Sequence, residues 1–424
     1  MFCDKILLLE MMGRRANLDI STIASVRFSR VWNRGIPWTV ELLRSGVPYI
    51  TIAFAAVLCL LPFARSQNKP LQSLASAAIP TPPGWHEIPD TQLSSRCPND
   101  PAVGGNSGCR AVINAWNGGV ADEKRDRLIF WGGGHSDYFG NEVYALDLNK
   151  STLSRLTEPS PVTNVMSCPE AYTDGRPSAR HTYGGLAYLA KQDSMFVHGG
   201  SKSACGFMSA GTWVFDLARM EWKSLDPHQG DNPASNPGII AEYDPNTGTV
   251  ILSDTGNLYR YDPVTNSYKR LRPLSGVDYR LSGVIDPERK LFFMIGGPGQ
   301  FWTISIAENS KFEVQDWSRR VTGCDPLRYA HSPGLAYDAE LREIVGWSGG
   351  DTVYLFQPES RKCSAETYAG GPGAAQPNGT FGRFRYFPRL GVFALVNDWK
   401  QNAFLLQLAP RTKLVATPAQ RSNN

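Results

Sequence analysis

Leu128-Ile129-Phe130-Trp131-Gly132-Gly133-Gly134, followed by Glu142-Val143-Tyr144-Ala145-Leu146-Asp147-Leu148, is the stretch on which the fold turns. An apolar run of strand length is stopped by glycines, and a second run bearing Tyr begins after a short insertion, so the two read as adjacent strands joined by a loop. The phrase returns as Met195-Phe196-Val197-His198-Gly199-Gly200 with Thr212-Trp213-Val214-Phe215-Asp216-Leu217. It returns again as Leu291-Phe292-Phe293-Met294-Ile295-Gly296-Gly297, and as Ile344-Val345-Gly346-Trp347-Ser348-Gly349-Gly350 with Thr352-Val353-Tyr354-Leu355-Phe356. A turn phrase accompanies it: Asp122-Glu123-Lys124-Arg125, Asp244-Pro245-Asn246-Thr247-Gly248, Asp286-Pro287-Glu288-Arg289 and Asp338-Ala339-Glu340-Leu341-Arg342. Asp opens such turns by accepting from its own backbone two residues on, and Pro presets φ. The unit recurs roughly every 43 to 67 residues, the range of propeller blades with loop insertions.

The composition agrees. Of 424 residues, 40 are Gly and 30 are Pro, and only 19% are charged, which excludes a coiled coil, a helical repeat or a disordered chain. Many short strands joined by tight turns remain, as in a large all-β fold.

Apolar strand, Gly-Gly, a Val-Tyr-x-x-Asp type of strand and then a Trp-bearing strand (Glu221-Trp222-Lys223-Ser224-Leu225) is similar to the kelch repeat, over residues 84–408. The resemblance implies a kelch-type β-propeller and is silent on activity, because propellers host enzymes, binding modules and scaffolds alike. First strands near Val112, His181, Gly238, Leu281, Ser332 and Phe384 give six blades; a degenerate element hidden in 156–179 would make seven. The last blade lacks a fourth strand, and Gly84-Trp85-His86-Glu87-Ile88 can supply it, closing the ring between chain ends. Residues 67–83 read as a linker and 409–424 as a disordered tail.

Ahead of the repeats, Ile50 to Leu61 is an apolar run too short to span a bilayer comfortably, and Ala64 and Ser66 fit a cleavage site. Residues 47–66 therefore read as a signal peptide or, alternatively, a signal anchor, and 1–46 as a cytoplasmic tail or an upstream start, with the rest secreted or periplasmic. The formal charge of +4 comes from this leader: residues 1–66 carry eight basic and four acidic residues, leaving 35 of each sign beyond. Six Cys follow the leader, and disulfides are expected. Cys97 with Cys109 staples the approach to the first blade, and Cys168 with Cys205 pins an insertion of the second. Cys324 and Cys363 pair only by elimination, since the strand assignment sets them toward opposite faces of the fifth blade.

In a propeller, loops joining second to third strands share a face with loops joining blades, and the innermost strands start there. His135 and Tyr138, Arg180, His181 and Tyr183, Tyr279 and Arg280, Tyr329 and His331, and Arg383 and Arg385 are thus expected around one channel mouth. His or Tyr as base and acid, with Arg neutralising a carboxylate, is what β-elimination of a uronate-containing glycan requires. In that reading His135, Tyr138, His181, Tyr183 and His331 supply acid and base, while Arg180, Tyr279, Arg280, Tyr329, Arg383 and Arg385 bind substrate. The competing reading is a binding module for an acidic glycan or an extracytoplasmic protein, acting as a monomer. No cofactor and no metal is expected, since the six His have no close ligand spacing. A copper oxidase of the galactose-oxidase kind is disfavoured, because such a site also draws on a further C-terminal domain. The balanced charge after the leader and the lack of a phosphate loop argue against nucleic-acid and nucleotide roles.

Overall fold

A computed structural model describes residues 82–411 apart from Asn164, His228 and Ser235. The expected leader, all of the linker but its last two residues and the tail beyond Arg411 lie outside the described residues. Within them the chain is a six-bladed β-propeller. Blade 1 comprises Gly119–Asp122, Arg127–Phe130, Tyr144–Asp147 and Thr152–Arg155; blade 2, Leu186–Leu189, Ser194–His198, Thr212–Asp216 and Glu221–Leu225; blade 3, Ile240–Asp244, Thr249–Ser253, Asn257–Asp262 and Ser267–Pro273. Blade 4 comprises Leu281–Asp286, Leu291–Gly296, Gln300–Ser305 and Val314–Asp316; blade 5, Gly334–Asp338, Glu343–Trp347, Thr352–Gln357 and Lys362–Thr367. Blade 6 takes three strands from the C-terminal side, Phe384–Phe387, Val392–Leu395 and Ala403–Gln407. Its outermost strand is Gly84–Ile88, paired antiparallel from Gly84 opposite Gln407 to Ile88 opposite Ala403. The six innermost strands contact one another in order and around the closure, so the channel is ringed without a gap.

Local chemistry explains the elements. Asp244 Oδ1 accepts from Asn246 N at 3.0 Å, and Asp338 Oδ1 accepts from Glu340 N at 2.8 Å, so the repeated Asp closes the turn between first and second strands. The glycines that end second strands allow close approach: at Gly134, with φ +75°, a Cβ would stand 2.3 Å from Arg180 Cα. The core lies between blades, not at one centre. Val120, Ile129, Trp131 and Ala145 of blade 1 meet Leu186, Met195, Val197 and Trp213 of blade 2 in one continuous apolar cluster.

Several expectations are corrected. Residues 156–179 form a loop with a single helical turn at Val165–Ser167, not a seventh blade. Val112 lies in a short helix, Ala111–Asn114, whose apolar residues pack on Leu93 and Val103; the first strand of blade 1 begins seven residues later, at Gly119. His181 belongs to a two-residue strand, Arg180–His181, paired with Ser201–Lys202 at the mouth, and blade 2 proper starts at Leu186.

All three expected disulfides form: Cys97 with Cys109, Cys168 with Cys205 and Cys324 with Cys363. The third pair corrects the strand assignment, because Cys324 lies where Thr322 runs beside the outer strand of blade 5, with Cys363 N donating to Thr322 O at 2.8 Å. Three disulfides fit an oxidising, extracytoplasmic compartment. Among the described residues no helix is long and apolar enough to cross a membrane.

His198 is enclosed at the second-strand end of blade 2, its Nδ1 2.9 Å from Thr212 Oγ1 and 3.0 Å from Tyr268 OH. Burial pushes the imidazole down from 6.5 to about 3. The unfolded chain therefore takes up this proton first, and stability falls as pH drops below 6.5 toward 3. The slope from this group approaches about 1.4 kcal/mol per pH unit. Urea denaturation of His198→Gln between pH 6.5 and 4 should show a shallower loss than wild type; parallel curves would refute the burial argument.

The closing strand makes a second expectation. Trp85 is 6% exposed, lies edge-on to Trp347 and Phe404 with centroids 6.4 Å away, and donates its indole N–H to Asp351 O at 3.1 Å. Trp85→Ala should cost about 3 to 5 kcal/mol in urea denaturation. A cost below about 1 kcal/mol would mean the ring holds without its closing strand.

Candidate functional site

The loop after Gly134 is built to hold His135 at the mouth. His135 N donates to Lys202 O at 3.0 Å, Asp137 N to Gly134 O at 2.8 Å, and Ser136 Oγ to Ala204 O at 2.5 Å. His135 and Ser136 both have left-handed backbones, φ 46° and 65°, an uncommon pair for non-glycine residues. The disulfide loop of blade 2 forms the shelf beneath the ring: a Cβ on Gly206 would stand 2.3 Å from His135 Cδ2. Residue 206 must thus be small for His135 to lie where it does.

His181 stands beside it, with ring centroids 5.4 Å apart and the planes nearly perpendicular. Its Nε2 is 3.0 Å from Asp137 Oδ2, and Asp137 Oδ1 accepts from Ser107 Oγ at 2.7 Å, so a carboxylate braced from behind orients the imidazole. Trp116 lies 5.2 Å and Tyr183 6.4 Å from the His181 ring, and Phe381 continues the aromatic line 6.1 Å beyond Tyr183.

Burial pushes the His181 imidazole below its ordinary value, while Asp137 pulls it back up. The His181 hydrogen bond holds the Asp137 carboxyl below the usual range. Burial, with a smaller push from Tyr279, raises the Tyr183 phenol to about 12. At neutral pH the group is therefore a neutral imidazole, a carboxylate and a protonated phenol. His181 is only 1% exposed and lies under the mouth surface, so the imidazole that faces solvent is that of His135, packed on it.

A second group lies across the mouth. Tyr279 packs edge-on to His331 at 5.7 Å, and the Arg280 guanidinium lies 5.5 Å from the Tyr279 ring. Arg280 donates to both carboxylate oxygens of Asp278, at 2.8 and 2.9 Å. Tyr329 is 59% exposed with Arg328 over its ring at 4.5 Å.

Four of the sequence-derived residues lie elsewhere. Tyr138 is enclosed, its hydroxyl donating to Glu142 Oε1 at 2.6 Å, and burial raises its pKa far beyond use as an acid. Arg180 is fully buried, bound to Ser209 Oγ at 2.7 Å and to both the carboxylate and the carbonyl of Glu170. Arg383 is fully buried at the seam of blades 6 and 1. It donates to the carbonyls of Asn117, Val396, Asn397 and Gly379, and burial lowers its pKa to about 9. Arg385 points into the channel and forks onto Glu242, 3.1 Å to each oxygen. The three arginines satisfy buried acceptors, and Tyr138 shares Glu142 Oε1 with the Tyr144 hydroxyl, so none of the four is available to a ligand at the mouth.

Sequence reasoning passed over Asp137, Trp116, Asp278 and Phe381. The acid two residues after His135 was the available signal for the first; Trp116 and Phe381 approach only through the folding of separate blades. Among the described residues no three His, Cys, Asp or Glu side chains come together as metal ligands.

The fold and this mouth define a six-bladed propeller with a His, Tyr and Arg-lined face. No protein-family model matches the chain, and no curated protein is similar to it in sequence. Among solved structures it is similar to a structural-genomics protein of unknown function from Bacteroides thetaiotaomicron, with TM-score 0.49 and 12% identity over 77% of this chain and 76% of that one. It is also similar to TolB from Acinetobacter baumannii, with TM-score 0.39 and 14% identity over 61% of this chain and 54% of that one.

The opposing pulls on His181 give a signed expectation. Asp137→Asn removes the group that raises it, so the His181 pKa measured by NMR titration of its ring protons should fall further below 6.5. A rise would mean that the carboxylate does not face the imidazole.

Proposed function

We propose that this chain is an exported kelch-type propeller that binds an acidic glycan at its channel mouth. One observation carries the reading. Of the exposed large apolar side chains among the described residues, Met166, Phe207, Tyr279 and Tyr329 are on mouth loops that enter or belong to blades 2, 4 and 5, and only Val264 is on the opposite face. Exposed aromatic rings offer flat apolar faces with low ordering cost, suited to the apolar faces of sugar rings, while His135 and the Arg280 nitrogen left over from its fork on Asp278 supply donors for carboxylates. Since the charge beyond the leader balances, affinity for a polyanion rests on these local groups and not on a general field. An extracytoplasmic protein bearing such glycans would meet the same surface. The Gly-Gly strand ends, the Asp-led turns and the Trp85 and Trp222 outer strands support the kelch assignment of the repeat.

A second reading is favoured by the exposed His135 packed on the buried Asp137–His181 pair, with Tyr183 beside them: a lyase acting on uronate-containing glycans. The base takes the proton α to the carboxylate, the electron pair forms the C4–C5 double bond, the C4–O bond breaks, and the acid protonates the departing oxygen.

Both readings are tested on a panel of uronate polysaccharides, by calorimetry for binding and by ultraviolet absorbance of unsaturated products for cleavage. Tyr279→Ala and Tyr329→Ala should each weaken binding about tenfold, and Arg280→Ala should abolish the preference for acidic over neutral glycans. No binding to any member of the panel would overturn the proposal. Cleavage that persists in a His135→Ala, His181→Ala double variant would remove these residues from the chemistry.

A further inference from the structure

The channel has a second end, where the turns between first and second strands meet, and it holds a cavity of about 270 Å³. Its wall repeats with the blades. The residue before the turn Asp, or before its equivalent, is Tyr188 in blade 2, Tyr243 in blade 3, Tyr337 in blade 5 and Tyr386 in blade 6, and all four line the cavity. Two of the hydroxyls are drawn outward to turn carboxylates, Tyr188 toward Asp193 at 3.3 Å and Tyr337 toward Glu288 at 3.5 Å. What those residues present to the cavity is chiefly ring.

The floor is the Arg385–Glu242 pair, which joins the diametrically opposite blades 6 and 3 and is neutral as a unit. Glu123 also lines the cavity, from the first turn of blade 1, and has no hydrogen bond or ion pair with any described residue. Every cation of its turn is committed elsewhere. Lys124 pairs with Asp193 at 2.5 Å, and Arg125 with both Asp122 and Asp193. Arg389, which reaches this turn from blade 6, pairs with Asp126 at 2.5 Å. Glu123 is open to solvent on one side and enclosed by the cavity on the other; that partial enclosure raises its carboxyl, while Arg385 of the floor pulls it partway back down.

We infer that the turn end of the channel binds a small organic ammonium ion, its charge facing Glu123 and its substituents enclosed by the tyrosine ring. The lining sets two carboxylates, Glu123 and Glu242, against one guanidinium, Arg385, and a tyrosine-walled cavity with that one net negative charge attracts a cation by ring quadrupole and by Coulomb force together. Its volume lies just below the usual range for ligand pockets, which begins near ~300 Å³, and so selects a ligand of choline or short-diamine size over a nucleotide or an oligosaccharide. The site is independent of the mouth, since the Arg385–Glu242 bar crosses the channel between them.

The test is calorimetric or NMR titration of the purified full chain with choline, and with 3,3-dimethylbutanol, its neutral carbon isostere. Choline should bind about tenfold more tightly than the isostere, and Glu123→Gln, nearly isosteric at an exposed turn, should erase that difference. Tyr243→Ala should weaken choline severalfold; Tyr337→Phe, which keeps the ring and loses only the hydroxyl, should not. Tyr279→Ala at the mouth should leave choline binding unchanged. Absence of choline binding, equal binding of the isostere, or an undiminished affinity in Glu123→Gln would each overturn the inference.

Discussion

The five-residue pairing of Gly84–Ile88 with Ala403–Gln407 is the constraint on which the rest depends. Blades bury their apolar faces only against neighbours, so a ring left open would expose two such faces at once and an unpaired strand edge besides. The closing strand completes the last of six sheets, five of four strands and one, in blade 3, extended by Gln229–Gly230 to five, that meet around one channel. It also seals Trp85 against Trp347 of blade 5 as well as Phe404 of its own blade, tying the closing strand into the next interface. Arg383 secures the adjoining seam by gathering carbonyls from blade 6 and from Asn117 at the start of blade 1. A guanidinium without a carboxylate is tolerated there because the donors it brings are the ones that the converging loop ends lack.

Much of this was legible in the chain, and what was not has a physical cause. Strand repeats, turn Asp residues and Gly-Gly ends are local signals, which is why blade count, ring closure and the Cys97–Cys109 and Cys168–Cys205 pairs could be read from spacing. Burial is not local. Arg180, Arg383 and Tyr138 carry functional-looking side chains at strand starts and loops on the mouth side, yet they are consumed by acceptors contributed from loops distant in sequence. Conversely, Asp137 becomes the partner of His181 only because Arg180–His181 forms a small sheet with Ser201–Lys202. Cys324 misled through a strand boundary: the chain after blade 4 runs along the outer strand of blade 5 before turning in to the mouth.

The mouth is assembled by connections, and its parts are interlocked. Tyr183 N donates to Trp116 O, Ser332 N to Arg280 O and Phe381 N to Ser332 O, so blade entrances that are adjacent in space hold one another by backbone hydrogen bonds. Tyr183, Ser332 and Phe381 all have left-handed backbones, with φ of 49°, 44° and 49°, at these contacts. Conformations of this kind persist only where the surroundings over-determine them. Tyr183 and Phe381, both buried, are therefore held by strained but locked entrances, and they form a fixed bed beneath the mouth loops.

The Arg385–Glu242 bar then decides how the two ends of the channel relate. A propeller channel is usually a continuous hole, and a ligand entering one end could in principle reach the other. Here the guanidinium forks onto a carboxylate from the opposite blade and also donates to Gly119 O and Gly382 O, two carbonyls of the mouth-side strand starts. Removing either charge would leave the other buried without its partner, a cost of about 3 to 5 kcal/mol. The bar is for that reason a fixed partition and not a gate. It separates the mouth, with its His, Tyr and Arg groups, from the turn end, with its tyrosines and Glu123.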